Sequence, residues 1–184
     1  MTALIHEGGI ELVTPELAAA AEAIDWSDLD RAAETAEQLL DAIAELIPAD
    51  AGFEAQIPAA AGYDCALAEG GQPLWSDGRT EIAICRMSPA GRTVAQPNHR
   101  HTRPLTARVF DGRIRLALFG MAGPQLAEGT SAEDSVAPRF LREDGQGRTI
   151  TLHPDQQHLL EVEQAVTLLV VRGPVVAPHP AEPR

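Results

Sequence analysis

After about residue 52 the chain breaks into short apolar runs, YDCALA, TEIAICRM, TARVF, RIRLALFG, RTITL and QAVTLLVV. Between most of them stand glycine- or proline-bearing turn sequences, EGGQP, SDGR, SPAG, FDGR and EDGQG. Runs of this length suit strands rather than helices, and no helical pattern alternates with them to carry a parallel sheet. Many short strands joined by turns imply an antiparallel sandwich or barrel. The sequence thus predicts a mainly β domain over 52–176.

The segment before it, 1–51, reads as helical. Thr14, Pro15 and Glu16 give a cap and first turn for ELAAAAEAI. Ser27 is the expected cap of a second helix, with Leu29, Ala32, Ala33, Ala36, Leu39, Leu40, Ile43, Leu46 and Ile47 at helical spacing up to Pro48. The Ala-rich face implies close packing on something flat, namely the sheet that follows. Residues 120–138 read as a long acidic rim loop. The proline-rich end of the chain is expected to be extended, with 177–184 a flexible tail.

The chain has 184 residues and a formal charge of −13, from 27 acidic and 14 basic residues. That balance argues against a nucleic-acid partner, since binding phosphates needs concentrated basic surface. Cys65 and Cys85 are the only cysteines, too few for a disulfide framework or a four-thiolate zinc site. No secretory pattern opens the chain and no apolar run nears the ~20 residues of a membrane span. A cytoplasmic protein with no membrane partner is the expectation.

The stretch PNHRHTRP places His99 and His101 two residues apart, just before VFDGRIRLAL, which reads as strand, turn and strand of a hairpin. In an extended segment both imidazoles share one face while Arg100 takes the other. A later segment, GRTITLHPDQQH, brings His153 and His158. His153 beside Pro154 reads as a turn residue, and His6 and His179 as solvated terminal side chains.

Here the chain resembles the cupin superfamily over about 62–176. His99, His101 and Gly112 match the first cupin motif, G-x5-H-x-H-x(3,4)-E-x6-G, and Gly147 and His158 match the second, G-x5-P-x-G-x2-H-x3-N. Leu105 stands where the first motif has Glu, and Gly91 is the nearest residue to its leading glycine. His153, Asp155 and Val162 stand at the second motif's Pro, Gly and Asn. The resemblance implies a double-stranded β-helix, or jelly-roll barrel, holding one divalent ion on His99, His101 and His158.

Three imidazoles without a carboxylate suit Fe(II), Ni(II), Cu(II) or Zn(II) by ligand type, with Mn as a further ion, and leave positions open for a small-molecule substrate and dioxygen; it is the resemblance that puts Fe(II) first. Within the superfamily this set is closest in pattern to the thiol (cysteine) dioxygenase group, which the closing stretch EQAVTLLVVRGP also resembles. That group's functional His and Tyr correspond to Leu169 and Val171, its cross-linking cysteine to Thr106, and its substrate-binding Arg has no counterpart near Gly71 or Gln72. The resemblance therefore implies an oxidoreductase, a mononuclear non-haem iron dioxygenase for a small thiol or small chelating organic acid. A pocket lined by Leu105, Val109, Leu169 and Val171 would favour a less polar substrate. Family likeness also implies a homodimer formed through the outer sheet.

Two further side chains are candidates for catalysis. Arg86, if it faces inward, could clamp an anion with two parallel hydrogen bonds; facing outward it would pair with surface acid. Cys85 would then point the other way, as a small buried apolar residue. Tyr63, the only tyrosine, is an acid or base for the rival reading, a Zn or Ni cupin acting as isomerase, lyase or hydrolase. A non-catalytic ligand-binding cupin is the third reading. Arg113 and Arg115 alternate with Ile114 and Leu116 as a solvated strand face, and Trp75 and Phe119 read as core or rim packing.

Overall fold

The computed structural model describes residues 13–47, 59–60, 71–87, 94–95, 102–121, 140–154, 156–162 and 164–176. Two helices precede the strands, α1 (Pro15–Glu22) and α2 (Leu29–Leu46). Thr14 caps α1, its hydroxyl accepting the Leu17 N–H at 3.4 Å. The cap of α2 is Asp28, one residue later than expected, accepting the Arg31 N–H at 3.2 Å. Ser27 is diverted to Asp25, donating through both its backbone N–H and its hydroxyl. Those two bonds, the hydroxyl's first, hold the Asp25 carboxyl below its ordinary range.

Ten strands follow: β1 (Ala59–Ala60), β2 (Gln72–Ser76), β3 (Glu81–Met87), β4 (Val94–Ala95), β5 (Leu105–Asp111), β6 (Arg113–Met121), β7 (Phe140–Gly145), β8 (Thr149–Leu152), β9 (Gln156–Val162) and β10 (Val166–Arg172). One sheet runs β1-β3-β10-β5-β8, with β2 also on β3, and the other β4-β9-β6-β7. Except for the two-residue β1 on β3, every pairing is antiparallel. The eight strands from β3 to β10 are thus divided between two sheets as β3-β10-β5-β8 and β4-β9-β6-β7, the strand order of a jelly roll. β1, β2, β4, β7 and β9 are strands that the apolar runs did not reveal.

The two Asp-Gly-Arg turns have different fates. Asp77-Gly78 closes a true hairpin between β2 and β3, whose registers meet at Ser76 and Glu81. Asp111-Gly112 does not, contrary to the hairpin expected from FDGR, because β5 and β6 belong to different sheets. The chain turns a corner there with Gly112 at φ 89°. A Cβ on Gly112 would lie 2.6 Å from the Ala165 carbonyl oxygen, so the closeness of β10's entry forbids a side chain.

The core has two layers. Between the sheets, Cys85, Met87, Leu105, Ala107, Val109, Ile114, Leu116, Leu168 and Val170 fill the barrel interior. Outside the six-stranded sheet, α2 lays Ala32, Ala36, Leu39, Leu40 and Ile43 on Ile82, Ile84, Leu169 and Val171. Small alanines let the helix approach closely, and burying such a leucine or isoleucine contributes about 1.5–3 kcal/mol. The helices are fastened further by Trp26 Nε1, which donates to the buried Thr80 hydroxyl at 2.9 Å. Arg108 on β5 pairs with Asp41, and Thr149 on β8 with Glu37. No described helix is long and apolar enough to cross a membrane.

Candidate functional site

Alternation along β9 decides where His158 points. Val162 belongs to the interior layer, and His158 is four residues away and therefore on the same face. Its Cα partner on β6 is Leu118, which packs against that interior layer. The imidazole is fully buried, and its Nδ1 lies 3.2 Å from the Gln156 carbonyl oxygen. A carbonyl only accepts, so that bond requires the proton on Nδ1 and leaves the ring's lone pair on Nε2. This is the tautomer that an imidazole uses when it ligates an ion through Nε2. In donor chemistry and orientation, His158 fits the metal role.

His99 and His101, the other expected ligands, lie outside the described residues, as does Tyr63. Among the described residues no group of three or more His, Cys, Asp or Glu is gathered to hold an ion. His153 sits on the other side of the sheet from His158. It lines a narrow cleft with Trp26, Leu29, Pro104 and Thr151, under the helices.

Two expectations are corrected by strand parity. Arg86 shares its face of β3 with Ile82 and Ile84, which pack on the helices, while Ala83, Cys85 and Met87 take the interior side. Half-buried Arg86 is therefore aimed away from His158, and an inward clamp role does not follow. The supposed pocket of Leu105, Val109, Leu169 and Val171 is divided the same way: the first two are interior, and the last two face α2. Cys85 is a buried interior residue, and burial pushes its thiol up to about 11 despite the nearby Arg172. A thiol so raised is protonated at neutral pH and a poor nucleophile. Arg113 and Arg115 are exposed and alternate with buried Ile114 and Leu116, and Trp75 is buried in the outer core layer; the side chain of Phe119 is outside the description.

A charged cluster that no motif announced stands at the same end of the barrel as His158. Arg172, fully buried, donates from Nη1 to Glu81 Oε1 at 2.5 Å and from Nη2 to Cys85 Sγ at 3.3 Å. Arg103 donates from Nη1 to the second oxygen of Glu81 at 2.9 Å and from Nε to the Gly173 carbonyl at 2.5 Å. Arg172 is registered with Leu105 on one sheet, and His158 with Leu118 on the other. Leu105 precedes the Gly112 corner by seven residues and Leu118 follows it by six, so both lie roughly 20 Å up the barrel from that corner. Sequence reading missed Arg172 because every residue of β10 is buried, which erases the alternation that would have marked an inward charge.

The strand order and two-layer core define a jelly-roll barrel with helices packed on one sheet, a mainly β fold that cupins share. Solved structures similar to it include a cupin superfamily protein from Desulfitobacterium hafniense, 9% identical, covering 73% of this chain and 87% of that one at a TM-score of 0.40. An RmlC-like cupin from Shewanella frigidimarina is 12% identical, covering 59% and 82% at 0.41. A protein from Bacillus halodurans is 14% identical, covering 60% and 74% at 0.43. No protein-family model and no curated protein matches the chain. The narrower likeness to thiol dioxygenases finds no support among these structures.

Proposed function

We propose that this chain is a metal-dependent cupin in which His99, His101 and His158 hold one divalent ion, Fe(II) before Zn, Ni, Mn or Cu. The reaction we assign to it is dioxygenation of a small thiol or other small chelating organic acid. One observation carries the reading: His158 is buried in the barrel with its Nδ1 proton directed to the Gln156 carbonyl, which readies Nε2 as a ligand. The motif spacing that singled out His158 also singled out His99 and His101. Bound there, the ion would supply open coordination positions at which substrate and dioxygen meet. The chain's own part is orientation and exclusion of water. Gln156 fixes the imidazole, while buried Leu105, at the position of the motif's carboxylate, would leave a bound ion its full charge.

The test is metal analysis of protein purified without added metal, beside His158→Ala. Wild type should carry close to one ion per chain, and the variant should lose most of it while keeping a cooperative melt. Loading with Fe(II) should then give oxygen uptake that depends on an added mercapto acid. Zn or Ni as isolated, with no oxygen uptake, would move the assignment to a Lewis-acid isomerase, lyase or hydrolase, with Tyr63 as its candidate acid or base. A wild type that neither carries nor takes up metal would leave the ligand-binding reading.

A further inference from the structure

Three hydrogen bonds meet at Gln156, where the turn from β8 delivers the chain to β9. Its backbone N–H donates to the His153 carbonyl at 3.2 Å, and its side-chain Oε1 accepts the His153 N–H at 3.3 Å. A backbone N–H can only donate, so the amide atom facing His153 is the oxygen. Running in opposite directions between the same two residues, these bonds close the turn as a clamp. The third bond passes that fixity on: the Gln156 carbonyl accepts Nδ1–H of the buried His158 at 3.2 Å.

Strand pairing alone gives that carbonyl weaker support. On β6 Leu118 pairs with His158 and Met121 with Gln156, so three steps along β6 are matched by two along β9. A bulge of this kind disrupts the regular ladder, and it falls opposite the carbonyl on which His158 depends.

We propose that the Gln156 side chain is a positioning element for His158: by holding the His153 N–H it fixes the carbonyl that sets the tautomer and ring orientation of the buried imidazole. The consequence for a bound ion rests on the metal reading above; the clamp itself does not. Without Oε1 the turn keeps the single bond from the Gln156 N–H, and the half-buried His153 N–H loses its acceptor. A carbonyl free to swing from Nδ1 no longer selects the Nδ1–H form, and the proton is then shared between the two ring nitrogens. A ring so released presents Nε2 to an ion only part of the time. Groups that hold a ligating imidazole in this way matter nearly as much as the ligand itself.

The experiment uses the full chain with 15N-labelled histidines, first without metal. Long-range proton–nitrogen spectra, taken where the ring is neutral and assigned with His158→Ala, report which ring nitrogen of His158 carries the proton. Amide exchange reports the His153 N–H. Wild type should show the Nδ1–H form and a protected His153 amide. Gln156→Leu, which keeps the bulk but not the acceptor, should show both tautomers and exchange the His153 amide on the order of 10-fold faster, as befits one lost hydrogen bond. Gln156→Glu, whose carboxylate can accept the same N–H, should restore both readings. Ile43→Val, which weakens the layer outside the other sheet, should alter neither, so lost stability is not the cause. Co(II), its affinity read by competition with a chromophoric chelator, should then bind Gln156→Leu on the order of 10-fold more weakly than wild type. A wild type with the proton on Nε2 or an unprotected His153 amide overturns the proposal without any variant. So does Gln156→Leu with wild-type tautomer and exchange. If Gln156→Leu does not fold, Gln156→Ala decides by the same readings. A wild type with the expected tautomer and protection that binds no Co(II) removes the metal reading and leaves the clamp standing.

Discussion

Gly112→Ala is the substitution whose cost the structure defines best, because a matched control lies in the same barrel. Gly112 and Gly78 have nearly the same backbone angle, φ 89° and 87°, and each follows an aspartate and precedes an arginine. Placing Ala in this left-handed region costs about 1–2 kcal/mol at either site. The gain from a stiffer unfolded chain, about 0.4–1 kcal/mol, is also common to both. Only the surroundings differ. A Cβ at Gly78 meets nothing within 4 Å, whereas at Gly112 it would lie 2.6 Å from the Ala165 carbonyl oxygen and 3.0 Å from Val166 Cα. Those are backbone atoms of the chain entering β10, so relief requires moving a central strand, at the about 1–3 kcal/mol of an overpacked core. Gly112→Ala should therefore fall below Gly78→Ala by about 1–3 kcal/mol in urea melts, or about 2–12 °C in Tm at the usual 2–4 °C per kcal/mol for a chain of this size. Equal midpoints for the two variants would refute the close approach, and with it the corner between sheets.

Other outcomes follow from buried groups. The Cys85 thiol is raised by burial from 9.0 to about 11, so the native state keeps a proton that the unfolded chain releases first. Its contribution, about 2–3 kcal/mol at 1.36 kcal/mol per unit, is fully present below pH 9 and lost as pH rises from 9 to 11; Cys85→Ala should lack this component in stability measured across that range. At pH 8, iodoacetamide should modify Cys85 only as fast as the barrel unfolds. Trp26→Phe keeps the aromatic ring against Gly173 but strands the Thr80 hydroxyl, 1% exposed, without its indole donor. It should cost about 1–3 kcal/mol, and Trp26→Phe combined with Thr80→Val should cost less than the sum of the two single changes.

What the sequence determined by itself was local. Thr14-Pro15, the helical spacing from Leu29 to Ile47 and the strand-length apolar runs each depend on neighbours within a few residues, and those elements form much as expected, YDCALA alone lying outside the described residues. The jelly-roll expectation came from order and spacing of motifs, and the strand order has that form. Tertiary structure alone decided which strand pairs with which, and from that every question of facing. The two Asp-Gly-Arg stretches are alike as sequence, yet one closes a hairpin and the other passes the chain between sheets, since pairing partners lie far off in the chain. β3 and β10 are buried on both faces, by the interior on one side and by helices on the other, so hydrophobicity carries no sign of direction along them. That is why Arg86 could not be assigned a face from its neighbours, why Leu169 and Val171 were grouped with residues on the opposite side of the sheet, and why the Arg103–Glu81–Arg172 cluster went unseen. Its members are 22 and 69 residues apart in sequence, and only the docking of β10 between β3 and β5 brings their charges together.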